Sequence, residues 1–289
     1  MYNPLTVTKA SGEKTLFSEE KIRASLQRSG ADPDQIDFIL QEVKKQLYDG
    51  MTTRNIYKIA FALLKSGFRH QAARYHLKYA IMELGPSGFP FEKYIAELLK
   101  FEGYKTQNGQ ILQGKCVTHE IDIIADKDSD EVLIECKYHN QQGISCNIKI
   151  PLYIHARFND IEAHALKKST NLSKKRQGWI VTNTRFTADA IQYASCSGIH
   201  LLGWDHPFGK GLKDKIDHSR LYPITCLTSL TIAEKRQLLD REIVLCNELQ
   251  NNGKLLSSIG VKTGRMSTIL NEVHQLCGHS NQKNSSITN

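Results

Sequence analysis

Six residues divide this chain. Gly85-Pro86-Ser87-Gly88-Phe89-Pro90 holds two glycines and two prolines. No helix continues through such a run, because proline lacks the donor N–H and its ring collides with the preceding turn. The hydrophobic spacing differs on the two sides. Before the run, apolar residues recur every three or four positions. After it, helical spacing alternates with short β-branched runs, the order of an α/β domain with a mixed sheet. The expected organisation is an N-terminal domain over 1–85, a linker at 86–90, an α/β domain over 91–206, a helical region over 207–277 and a polar, disordered tail over 278–289.

In the N-terminal part, Thr6 to Lys9 reads as a short strand followed by a turn at Ala10-Ser11-Gly12. Ser18 is a helix N-cap with Glu19 and Glu20 in the first turn. Ile22, Ala24 and Leu26 give that helix its apolar stripe. A second helix carries Ile36, Ile39, Leu40 and Val43. Asp49-Gly50-Met51 reads as a turn, and Thr52-Thr53 caps a third helix through Ile56, Ile59, Ala60 and Leu63, broken at Gly67. A fourth helix is expected from Ala72 to Leu84, with Tyr75, Leu77, Ala80 and Ile81 inward.

Beyond the boundary a helix starts at Phe91, with Ile95, Leu98 and Leu99 on its apolar stripe, and Tyr104 to Thr106 begins a strand. Residues 119–137 then hold two β-like runs. Ile121–Ala125 carries Asp122 within an apolar stretch, where an unpaired carboxylate is costly to bury. Val132–Lys137 ends in Glu135 and Lys137, two residues apart and so on one face. Paired as a hairpin, the runs bring Asp122 beside Glu135. Two carboxylates to hold a divalent cation, with an ammonium close by, are what metal-assisted phosphodiester hydrolysis needs. A helix from Leu152 to Lys167, a strand at Trp179–Asn183, a helix at Ala188–Ala194 and a strand at Ile199–Trp204 follow. Residues 207–220 read as a linker or exposed loop. Helices are expected at Thr231–Leu239, Asp240–Leu249 and around Leu255–Leu276. The last contains a Gly260-Val261-Lys262-Thr263-Gly264 turn that suits either DNA contact or plain helical packing.

The chain has 289 residues, 38 Lys and Arg against 30 Asp and Glu, and a formal charge of +8, an excess compatible with a polyanionic partner. No apolar run is long enough for a membrane span, and the first residues hold no signal-peptide core. The seven cysteines form no Cys-x-x-Cys pair, which argues against a zinc ribbon and suits reduced thiols in a cytoplasm.

Two resemblances sharpen this. "VTKASGEKTLFSEEKIRASLQRSG", "YDGMTTRNIYKIAFALLKSG" and "AARYHLKYAIMELG" resemble an ATP-cone domain over residues 4–85. The resemblance implies a β-hairpin cap on a four-helix bundle that binds ATP or dATP for control, not hydrolysis, with Val7, Lys9 and Lys21 at the nucleotide. Where that family usually reads Lys-Arg-x-Gly, this chain reads Lys9-Ala10-Ser11-Gly12. "FEKYIAELLKFEGY", "HEIDIIA", "LIECKYH" and "WIVTNTRFTADAIQYASCSGIHLLGW" resemble the restriction endonuclease-like PD-(D/E)xK nucleases, nearest the Mrr type, over residues 88–206. This implies Asp122, Glu135 and Glu92 as ligands of Mg²⁺ or Mn²⁺, with Lys137 at the attacking water. His139, Gln141 and Arg157 are candidates for the DNA backbone. Together they imply a nucleotide-sensing DNA endonuclease, cytoplasmic and homo-oligomeric, of restriction or phage defence. A nucleotide-responsive DNA-binding regulator with an inactive nuclease fold is the alternative. A ribonucleotide reductase is not expected from a chain of this length, nor the reductase repressor without its zinc-ribbon cysteines.

Overall fold

The computed structural model describes residues 5–168, 175–250 and 252–278, with the side chains of Lys167 and Lys168 left out. The described residues form two compact units, residues 84–219 and residues 1–83 together with 220–289.

In the N-terminal part, β1 (Thr6–Thr8) and β2 (Lys14–Leu16) make the expected hairpin, followed by α1 (Glu19–Ser29) and α2 (Pro33–Gln46). The Ser18 hydroxyl accepts from the Lys21 N–H at 3.4 Å, and Asp32 and Gln35 form a reciprocal capping box. The turn at 49–51 does not simply reverse the chain. Asp49 accepts from both the Thr6 N–H and hydroxyl at 2.8 Å. This holds Met51 alongside Val7, so β3 (Met51–Thr52) joins β1 in parallel. Next come α3 (Thr53–Gly67), α4 (Arg69–Tyr75) and α5 (Leu77–Met82). The single helix expected from Ala72 to Leu84 is therefore two, and it starts earlier. The break falls at His76, whose ring is stacked with Tyr79 and bonded to Tyr57. Leu26, Ile36, Leu40, Val43, Ile56, Ala60 and Leu64 close the core, each large aliphatic contributing about 1.5–3 kcal/mol by burial.

In the second unit, α6 (Phe89–Phe101) starts inside the expected linker, with Pro90 in its first turn, where a missing N–H costs nothing. Strands β4 (Lys105–Gln113), β5 (Thr118–Lys127) and β6 (Asp130–Lys137) form an antiparallel meander. A short β7 (Ser145–Cys146) precedes α7 (Lys149–Lys168), β8 (Lys175–Thr182), β9 (Arg185–Phe186), α8 (Ala188–Ser197) and β10 (His200–Leu202). The main sheet has the order β10-β8-β6-β5-β4, with β8 and β10 parallel to β6. The expected mixed α/β sheet flanked by helices is present. Ile154, Phe158 and Ile161 of α7 pack with Ala190 and Ala194 of α8 over Ile124, Leu133 and Ile180. Residues 207–220 are not a linker. Leu212 and Ile216, four apart and fully buried, fold that stretch into α9 (Leu212–Ser219), and Lys215 pairs with Glu102 at 2.5 Å.

The C-terminal part is helical: α10 (Ile232–Leu239), α11 (Gly253–Ser258) and α12 (Thr263–Cys277). The helix expected over Asp240–Leu249 is absent. Val244, Leu245 and Cys246 are all buried, and three consecutive buried residues cannot share one helical face. The chain instead bridges Leu245 to Pro223 and makes one short 3₁₀ turn over Cys246–Leu249. The tail expected to be disordered lies, from residue 279, outside the described residues.

Candidate active site

The site grows from the register of β5 against β6. Ile123 pairs with Ile134, so Asp122 stands one step on, opposite Glu135. Asp122 Oδ2 accepts from the Cys136 N–H at 2.7 Å, which fixes the carboxylate across the strands. Glu135 shares a face with Leu133, which lies in the core beneath α7, and with Lys137. It is 4% exposed. Such a carboxylate needs partners for both oxygens. Lys137 Nζ donates to Oε1 at 2.6 Å and Arg157 Nη1 to Oε2 at 2.8 Å.

Arg157 reaches the site because α7 is pinned to the β4–β5 turn. Asp160, nearly one helical turn on, accepts from the Cys116 N–H at 2.9 Å and the Val117 N–H at 3.3 Å. It also meets His119 Nε2 at 2.8 Å, and these bonds hold its carboxyl down to about 2, the His119 contact most of all. A side chain at Gly114 would drive straight into the Asp160 carboxylate, so only glycine allows this approach. Arg157 Nη2 also donates to the Glu120 carbonyl, and its plane lies 5.6 Å from the Tyr153 ring centre.

Glu92 enters from the first turn of α6. A side chain at Gly88 would stand only 3.1 Å from Glu92 Oε1. A helix N-terminus favours a charged carboxylate, yet Glu92 is pushed up to about 7. Burial is the largest cause, followed by the charges of Asp122, Glu135 and Glu120. Asp122 rises to about 6, from burial first and Glu135 second. Desolvation and like charge thus outweigh the helix field. Glu120, exposed and two residues before Asp122, is a fourth carboxylate here that the sequence reading passed over; the alternation His119-Glu120-Ile121-Asp122 was its signal.

Of the residues expected on DNA, Arg157 stands on Glu135, Gln141 is exposed, and His139 is half-buried with its Nε2 3.4 Å from Cys146 Sγ. Asn183 is buried and exchanges two bonds with the His139 backbone, at 2.9 and 2.7 Å, tying the end of β8 to the loop after β6. These bonds give it a structural role.

Three oxygen-donating carboxylates whose mutual repulsion a cation would relieve are a donor set that fits a hard divalent ion. As the side chains lie, no three His, Cys, Asp or Glu among the described residues are grouped to hold one. Both Glu135 oxygens are turned to cationic side chains instead.

The second candidate site is a cavity of about 280 Å³ in the N-terminal part. Val7, Lys9 and Lys21 all line it, from β1, the turn after it and α1. Lys9 also pairs with Glu13 at 3.0 Å. Among the other lining residues, sequence reading did not place Lys78 or an aromatic shelf of Tyr57, Tyr75 and Tyr79 at the nucleotide; the rings of Tyr57 and Tyr79 are stacked 4.1 Å apart.

Three family models match successive parts of the chain. Residues 85–206 match a restriction endonuclease catalytic domain of the Mrr type, residues 5–81 an ATP cone domain, and residues 222–277 a domain described as AF1548-like, C-terminal. An Archaeoglobus fulgidus protein described only as uncharacterized is 34% identical over 185 residues, 64% of this chain and all of that relative. A crystal structure described as a protein of unknown function, AF1548, is 32% identical, with a TM-score of 0.54 over 67% of this chain and all of that one. The fold and the match over residues 85–206 define a restriction endonuclease-like protein. The chain belongs to the AF1548-like family within that class, and it carries an ATP-cone domain at its N-terminal side.

Proposed function

We propose that this protein is a Mg²⁺- or Mn²⁺-dependent DNA endonuclease whose activity answers to ATP or dATP, acting in restriction or phage defence. The observation that carries this reading is the convergence of Asp122, Glu135, Lys137 and Glu92 where the pairing of β5 with β6 ends. Asp122, Glu135 and Glu92 would hold the cation, which when bound supplies Lewis-acid stabilisation of the phosphate and an acidified water. Lys137 sits on the same strand face as Glu135 and would position the attacking water. In the hydrolysis a water oxygen would bond to phosphorus as the bond to the leaving sugar oxygen breaks, the proton that the water loses reaching the leaving oxygen through solvent. No covalent enzyme intermediate is needed. The ATP cone would bind the nucleotide at Val7, Lys9 and Lys21 and act through homo-oligomeric assembly or access to DNA. Helix α12, with exposed Ser267, Thr268 and Asn271 and with Lys262 exposed at its N-cap, is a candidate DNA contact. No helix among the described residues is long and apolar enough to cross a membrane, and a cytoplasmic setting is part of this proposal.

The test is supercoiled plasmid with Mg²⁺, with and without ATP or dATP. Nicking that disappears in Asp122→Ala and Lys137→Ala supports the reading; no nicking by the wild type, or equal nicking by the variants, removes it. One observation favours the alternative of a nucleotide-responsive DNA-binding regulator with an inactive nuclease fold: both Glu135 oxygens are already occupied by cations. Duplex binding without cleavage across several metals would support it.

A further inference from the structure

Resting on the nuclease reading, we propose that Arg157 is the stand-in cation of Glu135 in the metal-free site, and that its freed guanidinium edge then serves as a second electrophile at the scissile phosphate. The argument starts from anchorage. The guanidinium is held at two points, Nη1 on Glu135 Oε2 at 2.8 Å and Nη2 on the Glu120 carbonyl. Its side chain is 13% exposed, and Asp160 fixes the helix that carries it. Glu135 Oε2 has a second lone pair, but a metal ion on it would meet the guanidinium charge at contact distance, 2.8 Å from the same oxygen, so ion and guanidinium compete for Glu135. Turning Glu135 to an ion releases Nη1 alone. The Glu120 carbonyl keeps the other edge, so the guanidinium does not leave; its unpaired N–H remains beside the carboxylates.

That position is where an anion must sit for these carboxylates and Lys137 to act on it. Arginine suits the task because its fork can hold the strand carbonyl with one edge and a phosphate oxygen with the other. It would neutralise the charge that develops on a non-bridging oxygen and transfer no proton. Lys137 is no substitute, since an ammonium is a point charge without the second fixed edge. The arrangement also resolves the occupied state of Glu135: a buried carboxylate among like charges needs a counter-ion while no metal is bound.

The experiment separates this from a merely structural clamp. Metal-free wild type and Arg157→Gln are titrated with Mn²⁺ by calorimetry, and plasmid cleavage is then measured at saturating Mn²⁺. Removing a competing cation at contact distance should tighten Mn²⁺ binding, by about 3- to 10-fold. Cleavage at saturation should nevertheless fall by about 100-fold, the scale for losing one positioned electrophile. Arg157→Lys, which keeps the charge, should bind Mn²⁺ within about twofold of wild type yet cleave slowly. It also serves should Arg157→Gln fail to fold. Weaker Mn²⁺ binding by Arg157→Gln would overturn the stand-in role and leave Arg157 a scaffold for Glu135. Undiminished cleavage at saturating Mn²⁺ by either variant would overturn the role at the phosphate. A wild type that does not cut removes the nuclease reading and the phosphate role with it, while the Mn²⁺ titration still decides the stand-in role.

Discussion

The two candidate sites solve opposite problems. The site on β5 and β6 has an excess of acid and closes upon itself: three carboxylates crowd together, and Lys137 and Arg157 fill both oxygens of the most buried one. The cavity in the ATP cone has an excess of base and stays open, with Lys9, Lys21 and Lys78 on its walls and stacked tyrosines beneath them. The first gathers carboxylates around cationic side chains that neutralise the most buried of them. The second suits a ligand with an anionic end and a flat end. The difference teaches that local electrostatic strain marks where a counter-charge belongs. Glu92 and Asp122 carry that strain, with carboxyls raised to about 7 and about 6.

The largest effect expected is at Lys137. Lys137→Ala should lower plasmid cleavage at saturating Mg²⁺ by about 10³-fold, within the range for a positioned group acting in the transition state. Nucleotide binding to the cone should not change, and a fluorescent ATP analogue measures it. A parallel loss of both would break the picture of two independently built sites. Tyr57→Ala should act in reverse. Loss of a stacking surface and of one wall of the cavity should weaken ATP or dATP by about 10- to 50-fold, on the scale of stacking energies, with nucleotide-free cleavage untouched.

Legibility in the sequence followed the same divide. The acidic site was readable because a strand fixes the geometry of its own residues: alternation alone put Glu135 and Lys137 on one face, and the β5–β6 pairing brought Asp122 opposite. Arg157 was readable as a basic residue but not as the partner of Glu135. That pairing depends on where α7 lands, through Asp160, Gly114 and His119, which no spacing encodes. The tyrosine shelf was hidden for a similar reason. Tyr57, Tyr75 and Tyr79 come from α3, α4 and α5 and meet only after the chain turns at His76. The third strand at Met51–Thr52 was missed because a two-residue strand has no periodicity to detect; the Asp49–Thr6 bonds create it. Buried Leu212 and Ile216 were overlooked because the lysines around them read as loop.

A smaller effect tests the electrostatic strain directly. Glu92 has a folded-state pKa of about 7 against an ordinary value of 4.5, with burial as the first cause. Below about pH 4 it is protonated whether folded or unfolded and costs nothing. As pH rises toward 7 the unfolded chain gives up its proton first, so the metal-free protein loses stability across that window and no more above it. Glu92→Gln should therefore melt higher than wild type at pH 8 and equally at pH 4. The gain should be about 1–2 kcal/mol once the partial exposure of the group is allowed for. Scanning calorimetry of the metal-free protein at both pH values reads it. A gain that is the same at pH 4 would mean the effect is helix propensity and not charge.

The smallest effect is the finest probe of the cone. The Tyr57 hydroxyl lies 2.5 Å from His76 Nδ1, and His76 Nε2 lies 3.5 Å from Glu83, which Lys235 approaches at 3.8 Å. Tyr57→Phe keeps the stacked ring and removes only the first link. One neutral hydrogen bond is worth about 1 kcal/mol, so nucleotide affinity should fall by no more than about fivefold, far less than in Tyr57→Ala. If Tyr57→Phe and Tyr57→Ala weaken binding equally, the ring is not the surface the nucleotide rests on, and the hydroxyl relay toward Glu83 carries the whole effect. If Tyr57→Phe changes nothing, the stacking surface alone holds the flat end of the ligand.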